Sequence, residues 1–269
     1  MMKQDFDLVD ETKYLNIDGK NIEYQWVIEP KQDQGVIVFL HEGLGCKDMW
    51  KGFPKKLAQQ TGLAALTYSR AGYGLSSSIQ LPRNQNYMQD EGIDVLPKLL
   101  SALGIQKSVL FGHSDGGSIA LINTGAHPNS SVQAIILEAP HVFIEKKTVD
   151  SITQVAKNYQ NSHLKKALSK YHGDNLDCAF YGFVDTWLNP VYAKNWNIEG
   201  YVKNVNVPTL LFQGDNDEFG TSEQVNRIQT QIKGEFEAVM IENCGHVPHV
   251  EQPDIVLKRS TDFLKRLAV

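Results

Sequence analysis

What the chain has little of narrows its function first. Cysteine is scarce: Cys46, Cys178 and Cys244 are an odd number, without the spacing of a metal site. They read as reduced, buried thiols, so no disulfide framework, metal or cofactor is expected. No run approaches the roughly 18 apolar residues that a membrane helix requires. The first residues, Met1–Asp7, hold no apolar stretch of the kind a secretory leader needs, and a cytoplasmic protein is expected. Positive charge is also short, with 26 Lys and Arg against 31 Asp and Glu for a net charge of −5. A basic surface for nucleic acid or anionic membrane is thereby excluded, which leaves a small molecule as the expected partner.

What is present is an ordinary globular composition, 42% apolar and 21% charged over 269 residues, enough for one large core. Thr12–Asp18 and Asn21–Glu29 alternate around Asp18-Gly19-Lys20 and predict an antiparallel hairpin at a sheet edge. The next apolar runs are short and nearly continuous: Val36–Leu40, Leu63–Tyr68, Ser108–Phe111, Ala134–Leu137 and Pro208–Phe212. Such runs suit central parallel strands covered on both faces. Phe236–Glu242 adds a last strand.

Helical patterns alternate with these strands at Gly52–Gln60, Asn86–Leu103, Ser114–Ala126, Ser222–Ile232 and Pro253–Leu267, with a kink or boundary expected at Pro97. This alternation specifies an α/β fold. We expect a mostly parallel eight-stranded sheet flanked by helices. About 70 residues separate the strands ending near Leu137 and starting near Pro208, far more than a crossover of a dozen or so residues needs. Thr148–Tyr171 and Leu176–Leu188 read as helices within that stretch. The expected organisation is a core of residues 1–140 and 207–269, with 141–206 inserted as a helical lid.

Gly112-His113-Ser114-Asp115-Gly116 has the pattern G-x-S-x-G. The bare pattern is weak in a chain with 21 glycines. Its placement is strong, because it follows the strand Val109–Phe111 and opens a helix, as a nucleophile elbow requires. The alternative job for Ser114 is a plain helix cap.

A serine hydroxyl needs a neighbouring base. Among eight histidines, His246 follows the last strand in Asn243-Cys244-Gly245-His246-Val247-Pro248, which places it over the carboxyl ends of the sheet. His249 is the rival base, whereas His113 points elsewhere on the sharp turn. His127, His163 and His172 are expected to cap helices or face solvent. The third group must orient the imidazole and stabilise its protonated form. Gln213-Gly214-Asp215-Asn216-Asp217-Glu218 offers three carboxylates after a strand, of which Asp217 is favoured and Asp215 reads as a turn residue. Glu138, ending the preceding central strand, is the alternative acid.

These residues resemble the α/β-hydrolases over almost the whole chain. His41-Glu42-Gly43-Leu44-Gly45 is similar to that family's oxyanion loop H-G-x-x-G, with Glu42 in place of the first glycine. Arg70-Ala71-Gly72-Tyr73-Gly74-Leu75-Ser76 resembles its R-A-G-x-G-x-S turn. Gly214-x-x-Asp217 resembles its acid motif, and Gly245-His246 with Glu251-x-Pro253 its histidine motif. The resemblance implies an oxyanion hole from the backbone N–H groups of Gly43 and Asp115. A serine at 114 separates the chain from haloalkane dehalogenases and epoxide hydrolases, relatives whose resemblance would require aspartate there.

The implied reaction is acyl transfer through an acyl-enzyme, on a small or medium ester or lactone with an apolar part; an acyl-homoserine lactone is one such molecule. The expected pocket residues are Trp50, Tyr73, Phe143, Phe180, Phe183 and Trp187. Two other readings stay open: hydrolysis of a carbon–carbon bond in a vinylogous diketone by the same three residues, and a ligand-binding receptor on a hydrolase fold.

Overall fold

The computed structural model describes residues 11–160 and 163–268. The first residues considered above, Met1–Asp7, lie outside them. Eight strands form one sheet: β1 (Lys13–Ile17), β2 (Lys20–Ile28), β3 (Val36–Leu40), β4 (Ala64–Tyr68), β5 (Ser108–His113), β6 (Val132–Glu138), β7 (Thr209–Gly214) and β8 (Phe236–Ile241). Their order is β1-β2-β4-β3-β5-β6-β7-β8. The β1–β2 hairpin is antiparallel and meets β4 antiparallel, and the remaining pairs are parallel.

The continuous apolar runs are buried on both faces, as expected for β3, β4 and β5. Side chains alternate between two cores, as the two-residue period of a strand dictates. Val36, Val38, Leu40 and Leu110 face one side with Leu99, Ile119 and Ile122. Ile37, Phe39, Val109 and Phe111 face the other with Leu57, Val256 and Phe263. The first side is covered mainly by α2 (Tyr87–Asp90), α3 (Leu96–Ala102) and α4 (Asp115–Ala126), the second by α1 (Phe53–Thr61) and the last helix (Pro253–Leu267).

The expected helix Asn86–Leu103 is interrupted. A π-helical turn, Glu91–Val95, joins α2 to α3, and Pro97 sits in the first turn of α3. Pro97 has no N–H for the Ile93 carbonyl four residues earlier, which meets His127 Nε2 at 2.9 Å instead, while the Gly92 carbonyl accepts from Asn123 Nδ2 at 2.8 Å. Proline, lacking an N–H, then fits the start of the new helix.

Between β6 and β7 lie α5 (Lys146–Tyr159), α6 (His163–His172), a short turn at Gly173–Asn175, α7 (Leu176–Trp187), α8 (Pro190–Asn195) and α9 (Glu199–Val202). Two helices thus stand where one was expected over Thr148–Tyr171, of which residues 161–162 lie outside the described residues. After β7 come α10 (Ser222–Gln231), α11 (Pro248–Glu251) and α12 (Pro253–Leu267). The inserted helices are tied to core loops by buried polar bonds. His172 accepts from Gly74 N at 3.0 Å through Nδ1 and bonds the Leu44 carbonyl at 2.8 Å through Nε2. That corrects the expectation for His172, which neither faces solvent nor caps a helix. His163 is exposed, and His127 ends α4 with Nε2 2.9 Å from the Ile93 carbonyl. Among the described residues, no helix is long and apolar enough to cross a membrane.

Candidate active site

The site is assembled where β5 turns into α4. Ser114, between them, has φ 52° and ψ −115°, a conformation that non-glycine residues avoid. Its N–H is held by the Glu138 carbonyl at 2.8 Å, which fixes the turn to β6. The following helix runs so close to β3 that a Cβ on Gly116 would overlap the Leu40 carbonyl, so only glycine fits there. Local strain and close approach together present the Ser114 hydroxyl above the sheet edge.

His246 meets it from the loop after β8. His246 Nε2 lies 3.0 Å from Ser114 Oγ, and Nδ1 lies 2.9 Å from both oxygens of Asp217. The Asp217 carboxylate also accepts from Gln213 Nε2 at 2.7 Å, Phe219 N at 2.7 Å and Gly220 N at 3.2 Å. Burial pushes Asp217 up, but the hydrogen bond and charge of His246 and the Phe219 N–H outweigh it and hold the carboxyl well below its ordinary range. Burial pulls His246 down, and the Asp217 hydrogen bond and charge overcome it, so the imidazole sits above its usual value. An ionised carboxylate therefore faces Nδ1, and Nε2 is the ring nitrogen turned toward Ser114 Oγ.

The two other carboxylates weighed for this place lie elsewhere. Glu138 Oε2 is 2.6 Å from His249 Nδ1, so the alternative acid and the rival base pair with each other. Asp215 Oδ1 accepts from Cys244 N at 3.4 Å, a loop contact. Both remain off the Ser114–His246 line.

The loop at 41–43 is anchored to the elbow by Arg70, which the sequence offered only as part of a glycine-rich turn. Its Nη1 donates to the His41 carbonyl at 2.5 Å and Nη2 to the Glu42 carbonyl at 2.9 Å. Its guanidinium also lies 3.9 Å from Asp115 Oδ2, which accepts from Tyr87 at 2.6 Å. One buried cation thus ties together the loop carrying Gly43 and the helix start carrying Asp115. Asp115 N is among the first N–H groups of α4, which have no partner within the helix.

A cavity of about 230 Å³ opens on Ser114. Its polar lining is Glu42, Gly43, His113, Ser114, Asp115, His141 and His246. Its apolar lining comes from Ile152 and Val155 of α5, Leu164 and Leu168 of α6, and Phe183 and Trp187 of α7, with Leu44, Met49 and Phe219. Phe183 and Trp187 thus line the space, whereas the other four expected pocket residues do not. Trp50 packs under the sheet against Phe39 and Phe111, and Tyr73 packs on His41 beneath the Arg83 guanidinium. Phe143 pairs with Asn197 in an isolated bridge, and Phe180 stacks on Tyr159. The aliphatic residues of α5 and α6 carry the wall instead. Their spacing showed amphipathic helices but not which surface those helices dock on.

His141 is the polar lining residue that sequence reasoning missed. It follows Pro140 after β6, and no motif marks it. It is 2% exposed with ring centroids 5.9 Å from His246, and burial pulls its pKa down to about 4. His141 is therefore neutral near pH 7.

The sequence matches the model of the alpha/beta hydrolase family over residues 37–259. Epoxide hydrolase 3 of Xenopus tropicalis is 24% identical, with 94% of this chain and 77% of that protein covered. The crystal structure of MGS-M2, an alpha/beta hydrolase enzyme from a Medee basin deep-sea metagenome library, superposes with a TM-score of 0.74 at 21% identity, covering 94% of this chain and 97% of that one. Est816, described as an N-acyl homoserine lactone degrading enzyme, superposes with a TM-score of 0.68 at 20% identity, covering 93% of this chain and 100% of its own. The chain belongs to the alpha/beta hydrolase family.

Proposed function

We propose that this hydrolase cleaves a small or medium carboxylic ester or lactone with an apolar part, using Ser114 as nucleophile, His246 as base and Asp217 as the carboxylate that orients it. The observation that carries this reading is the chain of contacts from Ser114 Oγ through His246 to Asp217 at the mouth of a largely apolar cavity. His246 Nε2 takes the hydroxyl proton as Oγ bonds to the carbonyl carbon, and Asp217 stabilises the imidazolium that forms. The N–H groups of Gly43 and Asp115 receive the oxyanion. The carbonyl–oxygen bond then breaks, with His246 returning the proton to the leaving alcohol. Water, deprotonated by His246, releases the acid and regenerates Ser114.

The serine at 114 favours this acyl chemistry over epoxide opening, for which the family resemblance requires aspartate at that position. The cavity, about 230 Å³, is small beside the usual range of ligand pockets, which favours a short or medium chain. A lactone such as an acyl-homoserine lactone remains a candidate within this class, supported by the likeness of fold to Est816. The inserted helices would then act as a lid over the acyl part.

The test is hydrolysis of p-nitrophenyl esters from acetate to dodecanoate, plus one long-chain lactone, by wild type and Ser114→Ala. Activity lost in the variant supports the reading, and turnover retained by folded Ser114→Ala overturns it. A folded wild type that turns over none of these compounds overturns the ester and lactone assignment.

A further inference from the structure

Position 42 carries the one residue of the 41–45 loop that departs from the pattern it resembles, and it borders the cavity. Glu42 lines the same space as Ser114 and His246, with its side chain 24% exposed. The carboxylate fills the place that a side chain at 45 would occupy, so Gly45 makes room for it. Beyond its own backbone N–H, no donor among the described residues hydrogen-bonds it; the neutral ring of His113 comes no nearer than 3.9 Å, from Nδ1 to Oε2. Arg70 grips the Glu42 main-chain carbonyl, so the backbone that aims the side chain is fixed.

The position is chemically awkward for the assigned reaction alone. A carboxylate beside Gly43 opposes the negative charge that the Gly43 N–H is there to receive. Nor does the carboxylate complete an internal ion pair, as Glu138 does with His249. Burial pushes the Glu42 carboxyl up, and no side-chain donor among the described residues offsets that; once ionised, the carboxylate only accepts hydrogen bonds, so a donor on the substrate would complete it.

We propose that Glu42 is a specificity residue that accepts a hydrogen bond from an N–H on the substrate close to the scissile carbonyl. The substrate class narrows accordingly, to esters or lactones bearing an acylamino group next to the carbonyl that Ser114 attacks. This deepens the hydrolase reading above and rests on it for the placement of that carbonyl. In that pose the acylamino N–H would meet Glu42, and the attached acyl chain would run along the aliphatic lining from Ile152, Val155, Leu164 and Leu168. Hydrogen bonds to charged groups are the stronger kind, and they discriminate sharply when the donor is absent.

Two matched esters isolate this contact: p-nitrophenyl N-butanoylglycinate and p-nitrophenyl butanoyloxyacetate, which differ in an N–H replaced by oxygen. Wild type should favour the N–H ester by about tenfold or more in kcat/KM relative to the uncatalysed rates. Glu42→Gly should lose most of that preference while raising turnover of the oxygen ester, and Glu42→Gln should lie between. Calorimetric binding of both esters to Ser114→Ala and to Ser114→Ala with Glu42→Gly repeats the comparison without chemistry. Tighter binding of the N–H ester that depends on Glu42 supports the proposal, even if wild type hydrolyses neither and the hydrolase reading fails. Equal treatment of the two esters by wild type overturns it, as does a preference that survives Glu42→Gly or binding of neither ester. Melting curves of each variant establish that the comparison is made on folded protein.

Discussion

His113 Nε2 lies 2.7 Å from the main-chain carbonyl of His246. A carbonyl only accepts, so His113 donates from Nε2, and burial keeps this imidazole neutral by pulling its pKa well below 6.5. The residue next to Ser114 thus grips the backbone of the residue facing it.

The first prediction tests that grip. His113→Ala leaves the His246 carbonyl without its buried donor and removes ring contact with His246 and His249. An unsatisfied buried acceptor costs about 1–3 kcal/mol, so the melting temperature should fall by several degrees. Turnover should fall by about tenfold to a hundredfold with a smaller change in KM, because the base loses its fixed placement. Steady-state kinetics beside a thermal melt checks both. An unchanged kcat would show that the loop holds His246 without this bond.

A second prediction separates the carboxylates. Asp217→Asn keeps the shape but places an amide against His246 Nδ1, so kcat should fall by about 10⁴-fold. Glu138→Gln touches His249, not His246, and should lower kcat by less than about tenfold while costing stability. Measuring kcat for both variants decides the matter, and the reverse ranking would move the acid to Glu138.

These two carboxylates also show what was legible in the sequence. The sheet was readable because its central strands are buried on both faces, which leaves short unbroken apolar runs. Ser114 and His246 could be singled out because a strand-to-helix turn and a loop after the last strand are local patterns. Asp217 was harder, since Asp215, Asp217 and Glu218 follow one strand and only the fold shows which reaches Nδ1. The pocket was least legible. Aromatic character predicts burial, but Phe180 spends its face on Tyr159 and Trp50 on Phe39, while aliphatic residues line the cavity. Which face of α5 points inward is set by docking: Lys147, Thr148 and Ser151 donate to the carbonyls of Asp217, Phe219 and Glu218, each at 2.5 Å. No periodicity within α5 contains that information.

The third prediction concerns pH and activity. The proposed reaction needs neutral His246, and the Asp217 hydrogen bond and charge hold its pKa above 6.5 against burial. The acid limb of kcat/KM should therefore have its midpoint above 6.5 and rise with pH through it. In Asp217→Asn the largest raising cause is gone while burial and the smaller effects of Glu218 and Glu42 remain, so the residual activity should show a midpoint below that of wild type. A midpoint that does not move between the two proteins would remove Asp217 as the cause.

A fourth prediction concerns pH and stability. His41, His113 and His141 are buried with pKa values below 6.5, each chiefly through burial. A depressed folded-state pKa gives stability that is present above 6.5 and lost as pH falls through the folded value. For His141 that value is about 4, so the loss runs from 6.5 toward 4. His246 has the opposite sign: its raised pKa adds stability below 6.5 that fades as pH rises past the folded value. The His141 contribution is about 3 kcal/mol in full. His141→Phe should therefore lose less melting temperature than wild type between about pH 7 and about pH 4.5. Identical losses in the two proteins would mean that His141 does not remain neutral.

The last prediction measures the apolar lining of the cavity. Leu168 of α6 is 3% exposed and borders the space together with Leu164, Ile152 and Val155. Leu168→Phe enlarges one wall without introducing a polar atom, and the volume it takes comes from the room for the acyl chain. Overpacking of this kind costs about 1–3 kcal/mol, which a protein of this size tolerates. Across the p-nitrophenyl ester series the optimum chain length should shorten by about one to three carbons, with kcat/KM on acetate changed by less than about threefold. If the optimum stays in place while the melting temperature falls, the chain runs past another wall. Phe183 of α7, which borders the same cavity and packs on Trp187, would then be the residue to enlarge.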